Sequence, residues 1–265
     1  MVTRKPRHAI RFAAFAMALA GAMGVAHASE SGVLSLRAQR SFDSGKFAKG
    51  YGQLERALLA SRKEADLLSE GRILIGMAQI RTMSLDFAFA DSLLSVVRPE
   101  ALDKNTKVQL AKVQMALASA QENYKGAVKT CKSLEEDLVK AADESTRAAF
   151  YGECAIAHAG VRQGDDANNF LNLAGKNSNK KGGFYAFTAA RIANILQDEV
   201  EADSLYKVAE QKSIQANKPY MTASILYYRA QLKGTPAKEK EDLRLRCKNA
   251  FELMGLPNNA KRCGE

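Results

Sequence analysis

Residues 38–58 read AQRSFDSGKFAKGYGQLERAL and hold the pattern that decides the fold. A small residue, Ala38, is followed by a polar turn around Gly45, an aromatic residue at Phe47 and a second small residue at Gly50. Further apolar side chains follow at intervals of three and four residues, as on one face of a helix. The stretch therefore predicts two helices joined by a tight turn.

The same pattern recurs along the chain at intervals of 35 to 40 residues. The fourth copy fits only if about two residues are deleted from its turn, and a sixth copy around Ala230 is degenerate. One helical hairpin cannot bury both of its faces, so a series of hairpins must stack to enclose a core. The small residue at the start of the second helix falls at Gly50, Ala90, Ala127, Ala167 and Ala202.

The small residue in the first helix, the Gly-x-aromatic turn and the small residues in the second helix resemble the tetratricopeptide repeat (TPR) over roughly residues 31–254. That resemblance implies an all-α fold, a right-handed superhelical solenoid of about six stacked hairpins, with the first helix of each hairpin on the concave face. The period is longer than the family's usual length of about 34 residues. The closing proline is also largely missing, so a related variant or a generic α-solenoid remains an alternative.

The first 28 residues predict an export signal. Four basic residues between positions 4 and 11 precede an apolar run that ends in the small-x-small sequence Ala26-His27-Ala28. The run is shorter than the roughly 20 residues that a membrane-spanning helix needs. We expect residues 1–28 to be a signal peptide, 29–254 the repeat domain and 255–265 a C-terminal tail, in a periplasmic or secreted bacterial protein without a transmembrane segment.

Composition and charge exclude several classes of protein. With 46% hydrophobic residues and only 5 prolines, the chain is neither collagen-like nor disordered throughout. The formal net charge is +10, but four of the positive charges lie in the leader. Export argues against a nucleic-acid partner, whereas contact with an anionic envelope surface or with an acidic segment of a partner remains an alternative.

Four cysteines follow the leader, and an even number in an oxidising compartment predicts two disulfides. By the repeat register, Cys131 lies in the second helix of the third hairpin and Cys154 in the first helix of the fourth, which are adjacent in a stacked array. Cys247 and Cys263 flank a helix end, so the tail can fold back. We expect these two pairs, with four unpaired thiols as the alternative.

No catalytic, metal or cofactor site is predicted. His158 lies among small and apolar residues without a second histidine, which favours a packed side chain. Asp165 and Asp166 fall where a helix begins, and acidic residues are favoured there by unpaired N–H groups. The loop 174–183 lacks the ending and the preceding strand of a phosphate loop.

The register predicts a binding surface instead. The residue after the small position of the first helix is an amide or a guanidinium in four hairpins, and such groups can donate to carbonyls or carboxylates of an extended ligand. A merely solvated face is the alternative. The predicted partner-binding residues are Gln39, Gln79, Arg191 and Gln231, flanked by Lys112, Asn194 and Tyr227.

These observations predict a non-enzymatic protein–protein interaction or scaffolding module of the bacterial cell envelope. It would bind a peptide or a partner helix in the concave groove, as stacked hairpins commonly do. An envelope enzyme with an unrecognised site and a self-assembling structural component are the alternatives.

Overall fold

A computed structural model describes residues 29–180 and 182–265, so the predicted signal peptide lies outside the described residues. The described part is all-α and contains no strand. None of its helices has both the length and the apolar character needed to cross a membrane. The helices are α1 (Glu30–Asp43), α2 (Phe47–Lys63), α3 (Leu67–Met83), α4 (Phe87–Ser95), α5 (Lys104–Ala120), α6 (Tyr124–Ser133), α7 (Glu136–Lys140), α8 (Glu144–Gly160), α9 (Gly164–Lys176), α10 (Gly183–Leu196), α11 (Glu199–Gln215), α12 (Pro219–Gln231), α13 (Ala237–Leu253) and α14 (Pro257–Gly264), with a 3₁₀ turn at Pro99–Ala101.

Neighbouring helices pack in pairs, as predicted. The pairs are α1 with α2, α3 with α4, α5 with α6, α8 with α9, α10 with α11, and α12 with α13. The first helices of successive pairs also pack on one another, α3 on α5, α5 on α8 and α8 on α10. The segment predicted as a C-terminal tail contains α14, which packs on α13.

One turn geometry ends most of these helices. Among the residues that the structure describes, eight have positive φ, and six of these are not glycine. In each turn, the N–H of the next residue donates to a carbonyl five residues earlier, as Lys46 does to Ser41 over 2.8 Å. This is the Schellman arrangement that satisfies the last carbonyls of a helix. The eight residues are Gly45, Ala65, Leu85, Glu122, Arg162, Gln197, Asn217 and Gly255.

The turns give the repeat a strict register. In five hairpins the positive-φ residue lies seven positions after a fully buried residue of the first helix and five before a buried small residue of the second. The fourth hairpin obeys this register with Ala155, Arg162 and Ala167, so the expected deletion in its turn is wrong. The glycine of that turn, Gly164, begins α9 and matches Phe47 rather than Gly45.

Two cysteine pairs tie adjacent helices together. The sulfur atoms of Cys131 in α6 and Cys154 in α8 lie 2.10 Å apart. Those of Cys247 in α13 and Cys263 in α14 lie 1.93 Å apart. Both pairs lie at disulfide distance, and they are the pairs expected from the repeat register.

Residues near the C-terminal end of the array contact residues near its N-terminal end. The Tyr220 hydroxyl and the Asn259 amide both donate to the Met83 carbonyl over 2.9 Å. Lys218 of the same region pairs with Asp43 over 2.8 Å. One hydrophobic core accordingly includes side chains from both ends of the chain, including α1 to α5 and α12 to α14.

Candidate functional site

Polar side chains from successive first helices form a row across the array. Gln79 lies on α3, Lys112 on α5, Glu153 on α8 and Arg191 on α10, and all four are half-buried. The Lys112 ammonium donates to the Gln79 side-chain oxygen over 2.6 Å. We call Lys112, Glu153 and Arg191 the charged row.

Burial and mutual attraction oppose each other within the charged row. Burial lowers the pKa of Lys112 to about 8, although Glu153 partly offsets this. Burial likewise raises the pKa of Glu153, against the attraction of Arg191 and Lys112. The three groups are therefore near enough to influence one another's ionisation. For Lys112 and Glu153, burial makes the charged form less favourable than it is in water.

The charged row is nevertheless not paired internally. Within residues 29–180 and 182–265, none of its members forms an ion pair with another charged side chain. The Glu153 Oε2 atom is buried, and no group in the described part of the chain forms a hydrogen bond with it. Buried charges are ordinarily paired and hydrogen-bonded, so this carboxylate is an exception that needs an explanation.

A cluster of tyrosines lies beside Arg191. The Tyr228 and Tyr206 rings are parallel with centroids 6.0 Å apart, and the Arg191 guanidinium carbon lies 5.4 Å from the Tyr228 ring centre. Tyr227 meets Tyr228 edge-on, and Arg262 of α14 lies over the Tyr227 ring at 4.4 Å. Guanidinium groups over aromatic faces are attracted by the ring quadrupole, so two cations are held at one aromatic cluster.

Glycine places a further tyrosine at this cluster. A Cβ at Gly160 would lie only 2.1 Å from the Cγ atom of Tyr124, so the missing side chain makes room for that ring. Arg191 and Arg262 both act to lower the Tyr124 pKa, although burial raises it overall. Both guanidinium groups therefore influence the ionisation of Tyr124, which is the first residue of α6.

The structure brings five of the seven predicted partner-binding residues to this region. Gln79, Lys112 and Arg191 belong to the row, Tyr227 contacts Tyr228, and Asn194 lies near the Tyr206 hydroxyl.

Gln39 and Gln231 are not part of this arrangement. Gln39 donates to Asp43 of its own helix over 3.2 Å, and Gln231 is exposed at the end of α12. Only some of the residues that follow the small position of a first helix therefore belong to the site, because Gln39 of the first hairpin and Gln231 of the last lie outside the row.

Three residues of the region were missed by sequence reasoning, namely Glu153, Tyr228 and Arg262. Glu153 had a detectable signal, since it is the only carboxylate in the run Gly152–Gly160, whose other residues are small or apolar except for His158. Arg262 had no such signal in the sequence, because its contact with Tyr227 depends on how α14 folds back.

The other sequence candidates are structural. His158 is 1% exposed, its Nδ1 atom lies 3.4 Å from Asp166, and its ring packs beside Phe170. Asp165 and Asp166 lie in the first turn of α9. No group of ligands able to hold a metal ion occurs among the described residues.

We expect Lys112→Met to raise the free energy of unfolding by about 1 kcal/mol at pH 7, because methionine fills a similar volume without a buried charge. The native pKa of about 8 lies below the ordinary lysine value of about 10.4. The unfolded chain therefore holds more protons between these values, and wild-type stability rises with pH there. The advantage of the variant should shrink over the same interval.

Urea unfolding at a series of pH values from 7 to about 10.5 measures this difference. Lys129→Met, at an exposed position on α6, is the matched control and should show no such pH-dependent gain. If Lys112→Met instead lowers the free energy of unfolding, the lysine stabilises the fold through its contacts, and the prediction is contradicted.

No family model matches this chain, and a search of curated proteins finds no similar sequence.

Proposed function

We propose that this protein is a non-enzymatic binding module of the bacterial cell envelope that holds an extended segment of another protein against the charged row. The observation that carries the proposal is the unpaired row itself. Three successive first helices each direct a charged side chain to one region, and among the described residues none of these side chains forms an ion pair. Buried charges without an ion-pair partner reduce the stability of the folded state. Natural proteins keep such features at functional sites, where a bound ligand can supply the missing partner.

The finer architecture belongs to the same proposal. We infer a TPR-like, right-handed solenoid of about six hairpins, with the first helices on its concave face. The packing of α3, α5, α8 and α10 in series supports that arrangement. An extended segment fits better than a partner helix, because half-buried side chains reach a slender chain more easily than a cylinder about 10 Å wide.

The location outside the cytoplasm is also proposed. Its support is the pair of cysteine bridges, since disulfides persist in oxidising compartments and are rare in the cytosol.

Selection from random peptides tests the function directly. We expect the protein to retain peptides of about nine residues from a bead-bound library with acetylated N termini, a length that spans about 30 Å when extended. Arg191→Gln should weaken the selected peptides about tenfold, measured by fluorescence anisotropy. Gln231→Ala, at a predicted position outside the row, is the matched control and should leave affinity within about twofold.

Two results would contradict the proposal. If no peptide is selected, the row is not a peptide site. If peptides are selected but bind Arg191→Gln and Lys112→Met as tightly as wild type, the binding surface lies elsewhere on the protein.

A further inference from the structure

The charged row alternates in sign along the array. Lys112 on α5 is followed by Glu153 on α8 and Arg191 on α10, and these helices pack in that order. When Glu153 is ionised, the row is positive, negative, positive, with each charge supplied by a different hairpin. A single-sign surface would attract any oppositely charged polymer, whereas an alternating row distinguishes ligands by the order of their charges.

Helix packing sets the spacing of this pattern. Packed helices have axes about 8 to 10 Å apart. A polyproline II chain advances about 3.1 Å per residue with three residues per turn, so side chains three positions apart lie on one face, about 9 Å from each other. Side chains three positions apart in a ligand can thus meet successive members of the row.

The partners that the row lacks identify the signs of the ligand. Among the described residues nothing donates to the buried Oε2 atom of Glu153, and a cationic donor from a ligand would stabilise the ionised form that burial disfavours. Arg191 contacts the Tyr228 ring and no carboxylate among the described residues, and Lys112 is bonded only to the neutral Gln79 amide. A ligand that pairs with all three side chains of the charged row therefore carries an acidic, a basic and an acidic group in that order.

We propose that the charged row binds a peptide segment in the polyproline II conformation, in which an acidic, a basic and a second acidic side chain follow one another at intervals of about three residues. This inference rests on the proposed function, since it names the chemistry of the segment bound at the same surface. The order of charges is symmetric, so the segment can run in either direction.

Short synthetic peptides with both ends blocked test the charge order. The probe is Glu-Ser-Thr-Lys-Ser-Thr-Glu, and the charge-reversed peptide is Lys-Ser-Thr-Glu-Ser-Thr-Lys. A third peptide places Glu-Lys-Glu together within the same composition, which keeps the net charge and changes only the spacing. We expect the probe to bind at least about tenfold more tightly than either comparison peptide in fluorescence anisotropy, an advantage that falls as salt is added.

A substitution of Glu153 tests whether this residue contacts the basic side chain of the peptide. Glu153→Gln should weaken the probe about tenfold but leave a peptide with Gln in place of Lys unchanged, which is the coupling of a direct contact. Melting curves establish that the variant is folded. Should it unfold, Lys112→Met serves instead and should lose preference for one of the two acidic side chains.

The outcomes separate the two proposals. Equal binding of all three peptides, or a spacing control as tight as the probe, overturns the charge order while leaving peptide binding in place. Failure of these peptides together with failure of the random library overturns both.

Discussion

Arg229→Ala is expected to destabilise the protein by about 3 to 5 kcal/mol, the range found when one partner of a buried ion network is removed. The Arg229 side chain is 8% exposed. Its guanidinium donates to Glu210 over 2.6 Å and to Glu239 over 2.7 Å, and contacts Asp203 at 3.3 Å. Truncation removes the cation of α12 that the carboxylates of α11 and α13 share.

A second arginine of the same network provides the control. Arg246 also pairs with Glu210, over 2.8 Å, but its side chain is 45% exposed. Exposed ion pairs contribute about 1 kcal/mol or less, so Arg246→Ala should have a small effect. Urea unfolding of both variants measures the difference. Equal losses would show that burial at Arg229 does not strengthen its pairs.

Loss of the Cys247–Cys263 bridge is the second large effect that we expect. Its cysteines are 16 residues apart, and closing a loop of this size stabilises by roughly 3 kcal/mol in the chain-entropy model. Replacing both cysteines by alanine should lower the free energy of unfolding by about that amount. It should also loosen α14, which holds Arg262 over Tyr227 and Asn259 against the Met83 carbonyl.

The other bridge separates these two consequences. Replacing Cys131 and Cys154 by alanine opens a loop of 23 residues and should reduce stability similarly. Hydrogen exchange at the α14 amides should accelerate only in the Cys247 and Cys263 variant. Peptide mapping of the non-reduced protein that finds other pairs or free thiols would contradict the pairing and the repeat register.

The hairpins were predictable because their signals are local. Helix periodicity, small residues and polar turns lie within a few residues of one another, and all were visible around Ala38 and Gly45. The fourth turn was misread because glycine was taken as its marker. Arg162 occupies the left-handed position there, and a non-glycine residue in that conformation leaves no pattern in the sequence.

The region around the charged row was only partly predictable. Gln79 and Arg191 share a repeat position and could be found, whereas Glu153 lies two residues before the small residue of its helix and escaped that rule. Residues 238–242 are all acidic or basic, a pattern typical of a solvated helix face, yet Glu239 binds the buried Arg229. Such contacts depend on which helix packs alongside, and local periodicity carries no information about this.

Contact between the two ends of the array has a kinetic consequence. Hairpins join residues close in sequence, whereas the bonds from Tyr220 and Asn259 to Met83 span 137 and 176 residues. Long loops lose more entropy on closure, so the hairpins can form early and the ends dock late in folding. The same junction is then a place where the native protein can open locally without unfolding its hairpins.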